Sequence, residues 1–332
     1  MKVIPIISAA GGVGKTTLSL MLAYVLSSNH YNVLLIDMDP TAGLTLRMFG
    51  DLAYQEMVRK RKTLIDLIND SESNNSSLNI KDYVVYGRQA RNYDNEIQLY
   101  SEFYNVAVLP PGEGFDEFFA KNLYMDIGKI IWNVFNNSNI NEFDIVIIDT
   151  APFFDERYTL IALYNMDKAV AVLRPTLTDI NRTNAMITKI SRAFKKLGKP
   201  NPSFILVFNF EYNRYKIEAK TLEDVLGIMR FDENERGRVV PMNLTDKARR
   251  VNDMLMRSLK ELINNKYAYI DFLKYVMPYD VKYSDETFPQ INSKFDNRRL
   301  GKVDNEILTL TLKHLVDKFN IKLDTVIDID NY

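Results

Sequence analysis

The sequence predicts an α/β protein built on a single twisted, mostly parallel sheet with helices on both faces. Short apolar runs rich in β-branched residues recur at 3–7, 33–36, 106–109, 145–148, 169–173, 204–208 and 272–276. Helical patterns separate most of them, at 16–27, 116–135, 178–197 and 245–264. Strands alternating with helices favour parallel pairing through crossovers. The runs are apolar at successive positions, as expected of strands covered on both faces.

The first run leads straight into SAAGGVGKTT, residues 8–17. Gly11, Gly12 and Gly14 let the backbone turn tightly with its amides inward, and Val13 completes the loop. Lys15 supplies a positive charge for β- and γ-phosphates, the Thr16 hydroxyl suits magnesium, and Thr17 continues the helix start, whose dipole favours anions. The common phosphate-loop pattern has glycine where this chain has Ala9, and a small residue suffices there sterically.

The second run reads VLLIDMDP, residues 33–40, and places Asp37 and Asp39 at a strand end. The fourth reads DIVIIDTAP, residues 144–152, and ends on Asp149. Ligands of open parallel sheets bind outside the carboxyl ends of the strands. The three aspartates are therefore expected to converge on the glycine loop, where carboxylates hold metal-bound water and orient an attacking one.

One domain over 1–332 is expected, with a helical excursion at about 211–269 around the charged turn FDENERGR, and surface excursions at 71–77 and 83–104. The chain is 46% hydrophobic and 26% charged with a formal net charge of −1, so any nucleic-acid contact must come from a local patch. The absence of cysteine excludes disulfides, thiolate metal sites and iron–sulfur ligation. His30 and His314 show no ligand spacing and read as structural or surface residues. The N-terminus does not resemble a signal peptide, and no run reaches about 18 apolar residues, so a cytoplasmic protein is expected.

GGVGKTT, LLIDMDP and DIVIIDTAP, in this order and at these spacings, resemble the deviant-Walker-A ATPases of the ParA/MinD superfamily of P-loop NTPases. NVAVLPPG and KAVAVLRPT are similar to further strands of that group. FILVFN ends on Asn209 and KYVMPYD surrounds Pro278; these resemble the strands that meet adenine. The resemblance implies ATP and Mg2+ as cofactors. It gives Lys15 and Thr16 to phosphate and metal, Asp37 and Asp149 to the magnesium shell, Asp39 to the hydrolytic water, and Asn209 and Pro278 to the base. The family's signature lysine, which reaches across a nucleotide-sandwich dimer to the partner's phosphates, is Ala10 here. Either the natural chain lacks it or alanine has been introduced. A nucleotide-binding scaffold with little hydrolysis is therefore the alternative to an ATPase.

Lack of cysteine points away from the iron–sulfur branches, and the acidic C-terminal KLDTVIDIDNY points away from a membrane-binding branch. ParA/Soj-type partition ATPases remain. That branch implies an ATP-dependent homodimer, non-specific DNA, a ParB-like centromere-binding partner and nucleoid association. Arg182, Lys189, Arg192, Lys196 and Lys199 fall within about a third of a helix circumference, a candidate phosphate-backbone stripe. A second candidate patch holds Lys294, Arg298, Arg299 and Lys302, and a third is RKRK at 59–62.

Overall fold

A computed structural model describes residues 1–73, 78–87, 105–121, 124–210, 246–273, 277–278 and 302–323. The strands are β1 (Lys2–Ile7), β2 (Val33–Met38), β3 (Val85–Tyr86), β4 (Val106–Leu109), β5 (Ile145–Thr150), β6 (Lys168–Leu173), β7 (Ser203–Phe210), β8 (Ile270–Phe272) and β9 (Met277–Pro278). They follow the order β3-β4-β2-β5-β1-β6-β7-β8, with β9 beside the end of β7. Every pairing is parallel except β3 with β4. The expected sheet is the sheet observed.

The period-2 alternation of strand side chains divides the core in two. Ile4, Ile6, Val33, Leu35, Val106, Val108, Ile145 and Ile147 point to one face. There they meet α1 (Lys15–Ser28), α2 (Gly43–Phe49), α3 (Asp51–Arg59) and α10 (Lys302–Lys318). Leu34, Ile36, Val146 and Ile148 point to the other face. That side is covered by α4 (Leu64–Ser73), α5 (Phe115–Lys121), α6 (Tyr124–Asn137) and α7 (Glu156–Ala162). It continues under α8 (Leu177–Lys196) and α9 (Asp246–Ile263), which pack on Ala169, Ala171, Phe204 and Leu206. The whole of β2 and of β5 is buried, which is why their sequence shows no alternation.

Several boundaries differ from the sequence reading. The helix expected over 116–135 is two helices, α5 and α6. The strand expected at 272–276 lies earlier, at β8, because the Phe204 amide bonds the Tyr269 carbonyl at 2.9 Å and sets the register. The loop expected at 71–77 begins as the last turn of α4. Helices α2 to α4, in the β2–β4 connection, were not expected at all. Most of the excursion, including FDENERGR, lies outside the described residues; α9 is its described part.

Candidate nucleotide site

β1 and β2 are both hydrogen-bonded to β5, so all three send their carboxyl ends to one edge. The loop after β1 turns there on two left-handed glycines, Gly12 at φ 67° and Gly14 at φ 94°. Gly14 is required for a second reason. A Cβ on it would stand 2.4 Å from Asn209 Nδ2. The loop is braced from within: Ser8 Oγ donates to the Ala10 carbonyl at 2.6 Å, and the Phe153 amide donates to the Ser8 carbonyl at 2.9 Å. The α1 ladder begins with the Leu18 amide on the Gly14 carbonyl at 2.9 Å. The amides of Lys15, Thr16 and Thr17 precede that ladder and point out of the helix N-terminus, a ready anion seat.

Asp37 and Asp149 are register partners on β2 and β5, and both are buried. The Thr16 hydroxyl donates to Asp149 Oδ2 at 2.7 Å, and Ser19 Oγ donates to Asp149 Oδ1 at 3.2 Å. Burial pushes the Asp149 carboxyl up to about 6, against the opposing pull of Lys15 and the Thr16 bond. Asp37 is raised further, to about 8, by burial and then by Asp149, although the Thr45 amide and hydroxyl donate to its Oδ2 at 2.9 and 2.8 Å. Burial also lowers the Lys15 ammonium, while Asp149 and Asp39 oppose the shift. Asp39 is half-buried, and Thr41 holds its Oδ1 through the amide at 2.9 Å and the hydroxyl at 2.7 Å. Lys15, Thr16, Asp37, Asp39 and Asp149 therefore share one edge, as the sequence implied.

Asn209 closes the same corner from β7. It is 2% exposed, its Nδ2 donates to the Val13 carbonyl at 2.7 Å, and its Oδ1 has no hydrogen-bond partner among the described residues. Pro278 lies in β9, whose register partner is Phe210. Ala10 is 4% exposed and belongs to the core under the loop.

A glycine loop with a buried lysine at a helix start, at the carboxyl edge of a parallel sheet, defines a P-loop nucleotide-binding protein. A family model described as an AAA domain (AAA_31) matches residues 1–202, more than half of the chain, and the chain belongs to that family. Its fold is that of the ParA/MinD ATPases. A McdA–ATP complex from Cyanothece aligns over 97% of this chain and 97% of that one, with a TM-score of 0.59 at 17% identity. A Borrelia burgdorferi protein described as a plasmid partition protein, bound to AMPPNP, aligns over 96% and 99% at TM-score 0.54 and 16% identity. The septum site-determining protein MinD of Buchnera aphidicola is 24% identical over 234 residues, 69% of this chain and 75% of that protein.

The sequence missed three residues that bond to those of the site: Ser19 to Asp149, Thr45 to Asp37 and Arg47 to Thr17. Only Ser19, one helical turn past Lys15, carried a local signal. The basic candidates fare unevenly. Arg182, Lys189, Arg192 and Lys196 are exposed on α8. Lys199 instead donates to the Tyr164 carbonyl at 2.9 Å and to Asn165 Oδ1 at 3.1 Å, with its ammonium over the Tyr164 ring. Arg192 stands over the Tyr267 ring, and Lys189 lies 3.9 Å from Glu156. In the third patch, Arg59 and Lys60 pair with Glu56, and Arg61 pairs with Asp66 and Asp70. Lys294, Arg298 and Arg299 lie outside the described residues, as do residues 324–332 of the acidic C-terminal stretch. Among the described residues no helix is long and apolar enough to cross a membrane.

Proposed function

We propose that the chain is an ATP-binding, ATP-hydrolysing switch for DNA partition. In this reading two copies close on ATP and magnesium as a sandwich dimer, and the dimer binds nucleoid DNA without sequence preference. A ParB-like centromere-binding partner then stimulates hydrolysis and release.

The observation that carries the nucleotide assignment is Asn209 against the glycine loop. With Nδ2 committed to the Val13 carbonyl, the amide cannot turn over without losing that bond, and Oδ1 is left as a buried acceptor. Adenine offers an amino donor at its six-position where guanine offers a carbonyl. We read this acceptor as the partner of the adenine amino group, with Pro278 closing the base pocket as the resemblance implies, and so expect ATP to be preferred over GTP.

Lys15 and the amides of 11–17 take the phosphates. The donor set also fits magnesium, which prefers one or two protein oxygens together with phosphates and waters. Thr16 and Asp149, with Asp37 beside them, supply such oxygens, and the ion bound there would neutralise phosphate charge. Asp39, steadied by Thr41, orients a water toward the terminal phosphate.

Ala10 supports a second reading, a nucleotide-binding scaffold with little turnover. The small core-packed side chain offers no charge to a partner subunit.

Calorimetry with ATP and GTP, light scattering with and without ATP, and ATP turnover with and without DNA separate these outcomes. The switch reading expects tighter binding of ATP than GTP, a doubled mass with ATP, and slow turnover raised by DNA and the partner. ATP binding without turnover or mass change would favour the scaffold. Absence of ATP binding would overturn both.

A further inference from the structure

A second cation touches the phosphate-loop helix. Arg47, on α2, donates from Nη1 to Thr17 Oγ1 at 2.8 Å. Thr17 is 6% exposed and sits in the first turn of α1, beside the amides that take the anion. Two residues earlier on α2, Thr45 donates to Asp37. One short helix therefore binds both the carboxylate side of the site and its phosphate side.

Charge balance makes this contact more than a brace. A nucleoside triphosphate brings several negative charges to the loop, and Lys15 is the loop's own cation. Position 10 contributes only a methyl. Arginine stays protonated even when partly buried, so the half-buried Arg47 keeps its charge beside the loop. Its planar fork also suits phosphate oxygens.

We propose that Arg47 is a nucleotide-binding residue that supplies, from within the same chain, a second positive charge to the phosphates at the Thr17 end of the loop. This inference rests on the nucleotide reading given above. It extends that reading by adding a cation from outside the phosphate loop.

The test is calorimetry of the full chain with MgATP across a range of salt, for the unsubstituted protein, Arg47→Met, Arg47→Lys and Lys15→Ala, with thermal denaturation of each free protein. Arg47→Met should weaken ATP about tenfold, the worth of one charged hydrogen bond. It should also flatten the salt dependence of binding, because one screened charge has gone. Arg47→Lys should recover part of both. ATP affinity and salt slope unchanged in Arg47→Met, with Lys15→Ala inactive, would overturn the inference and leave the nucleotide reading standing. A weakening in Arg47→Met with an unchanged salt slope would also overturn it, making Arg47 a brace between α2 and α1. Failure of the unsubstituted chain to bind ATP would overturn the nucleotide reading and this inference together.

Discussion

The phosphate-loop edge and the outer face of α8 both carry positive charge, but they hold it differently. At the loop edge each charged group is buried or half-buried: Lys15 feels Asp149 and Asp39, and the carboxylates are bonded, Asp149 by Thr16 and Ser19, Asp37 by Thr45, Asp39 by Thr41. On α8 the cations are exposed, and their neighbours compete for them. Arg192 leans on Tyr267, and just past the helix end the half-buried Lys199 is pinned on Tyr164. A fixed, desolvated charge interacts strongly and is costly to alter. A solvated one is screened and acts only in numbers. The helix separates the two behaviours in space as well. It starts beside the carboxyl edge, after β6, and its 20 residues carry the stripe roughly 30 Å toward the opposite edge.

The largest effect is expected at the loop. Lys15→Ala should cost at least ~100-fold in ATP affinity, since a buried charge-assisted contact is lost and the phosphates are left to amides. Near-normal binding by calorimetry would erase the contrast between the two regions. Next comes the stripe. Changing Lys189, Arg192, Lys196 and Lys199 together to Glu should abolish ATP-dependent DNA binding and leave ATP affinity intact. On the partition reading proposed above, the unsubstituted dimer, with roughly four to six phosphates neutralised, should itself lose ~10²-fold or more in DNA affinity between low and physiological salt. Omitting Lys199 from the set sharpens the test, because its ammonium is already engaged. If the triple variant still binds DNA as the parent does, α8 is only a solvated face.

The smallest effect concerns pH. The folded chain without ligand raises Asp149 to about 6 and Asp37 to about 8. It therefore holds protons that the unfolded chain releases above about pH 4, and stability falls as pH rises from about 4 to 8. Thermal midpoints of the ligand-free protein should decline by a few degrees across that window. In Asp37→Asn the part above about pH 6 should flatten. An identical slope in that variant would mean that Asp37 does not titrate as its surroundings require.

The sequence by itself determined the parts governed by local backbone chemistry. GGVGKTT is legible because a loop whose Gly14 must adopt φ 94° cannot easily use other residues, and because a lysine at a helix start has few other purposes. Asp37 and Asp149 are legible as polar ends of otherwise apolar strands. The sheet followed from the same solidly apolar runs. The order β3-β4-β2-β5-β1-β6-β7-β8 did not, since strand neighbours are chosen by crossovers and packing. Tertiary structure alone decided which side chains meet. Thr45 reaches Asp37 because α2 turns back toward the end of β2, and Arg47 reaches Thr17 because α2 lies over the start of α1, a contact between residues 30 positions apart with no sequence periodicity to mark it. It decided too that Ala10 packs into the core and that Lys199 is held by Tyr164. A helical stripe read from spacing gives angles around an axis, whereas the fate of each charge depends on what the neighbouring elements bring to it.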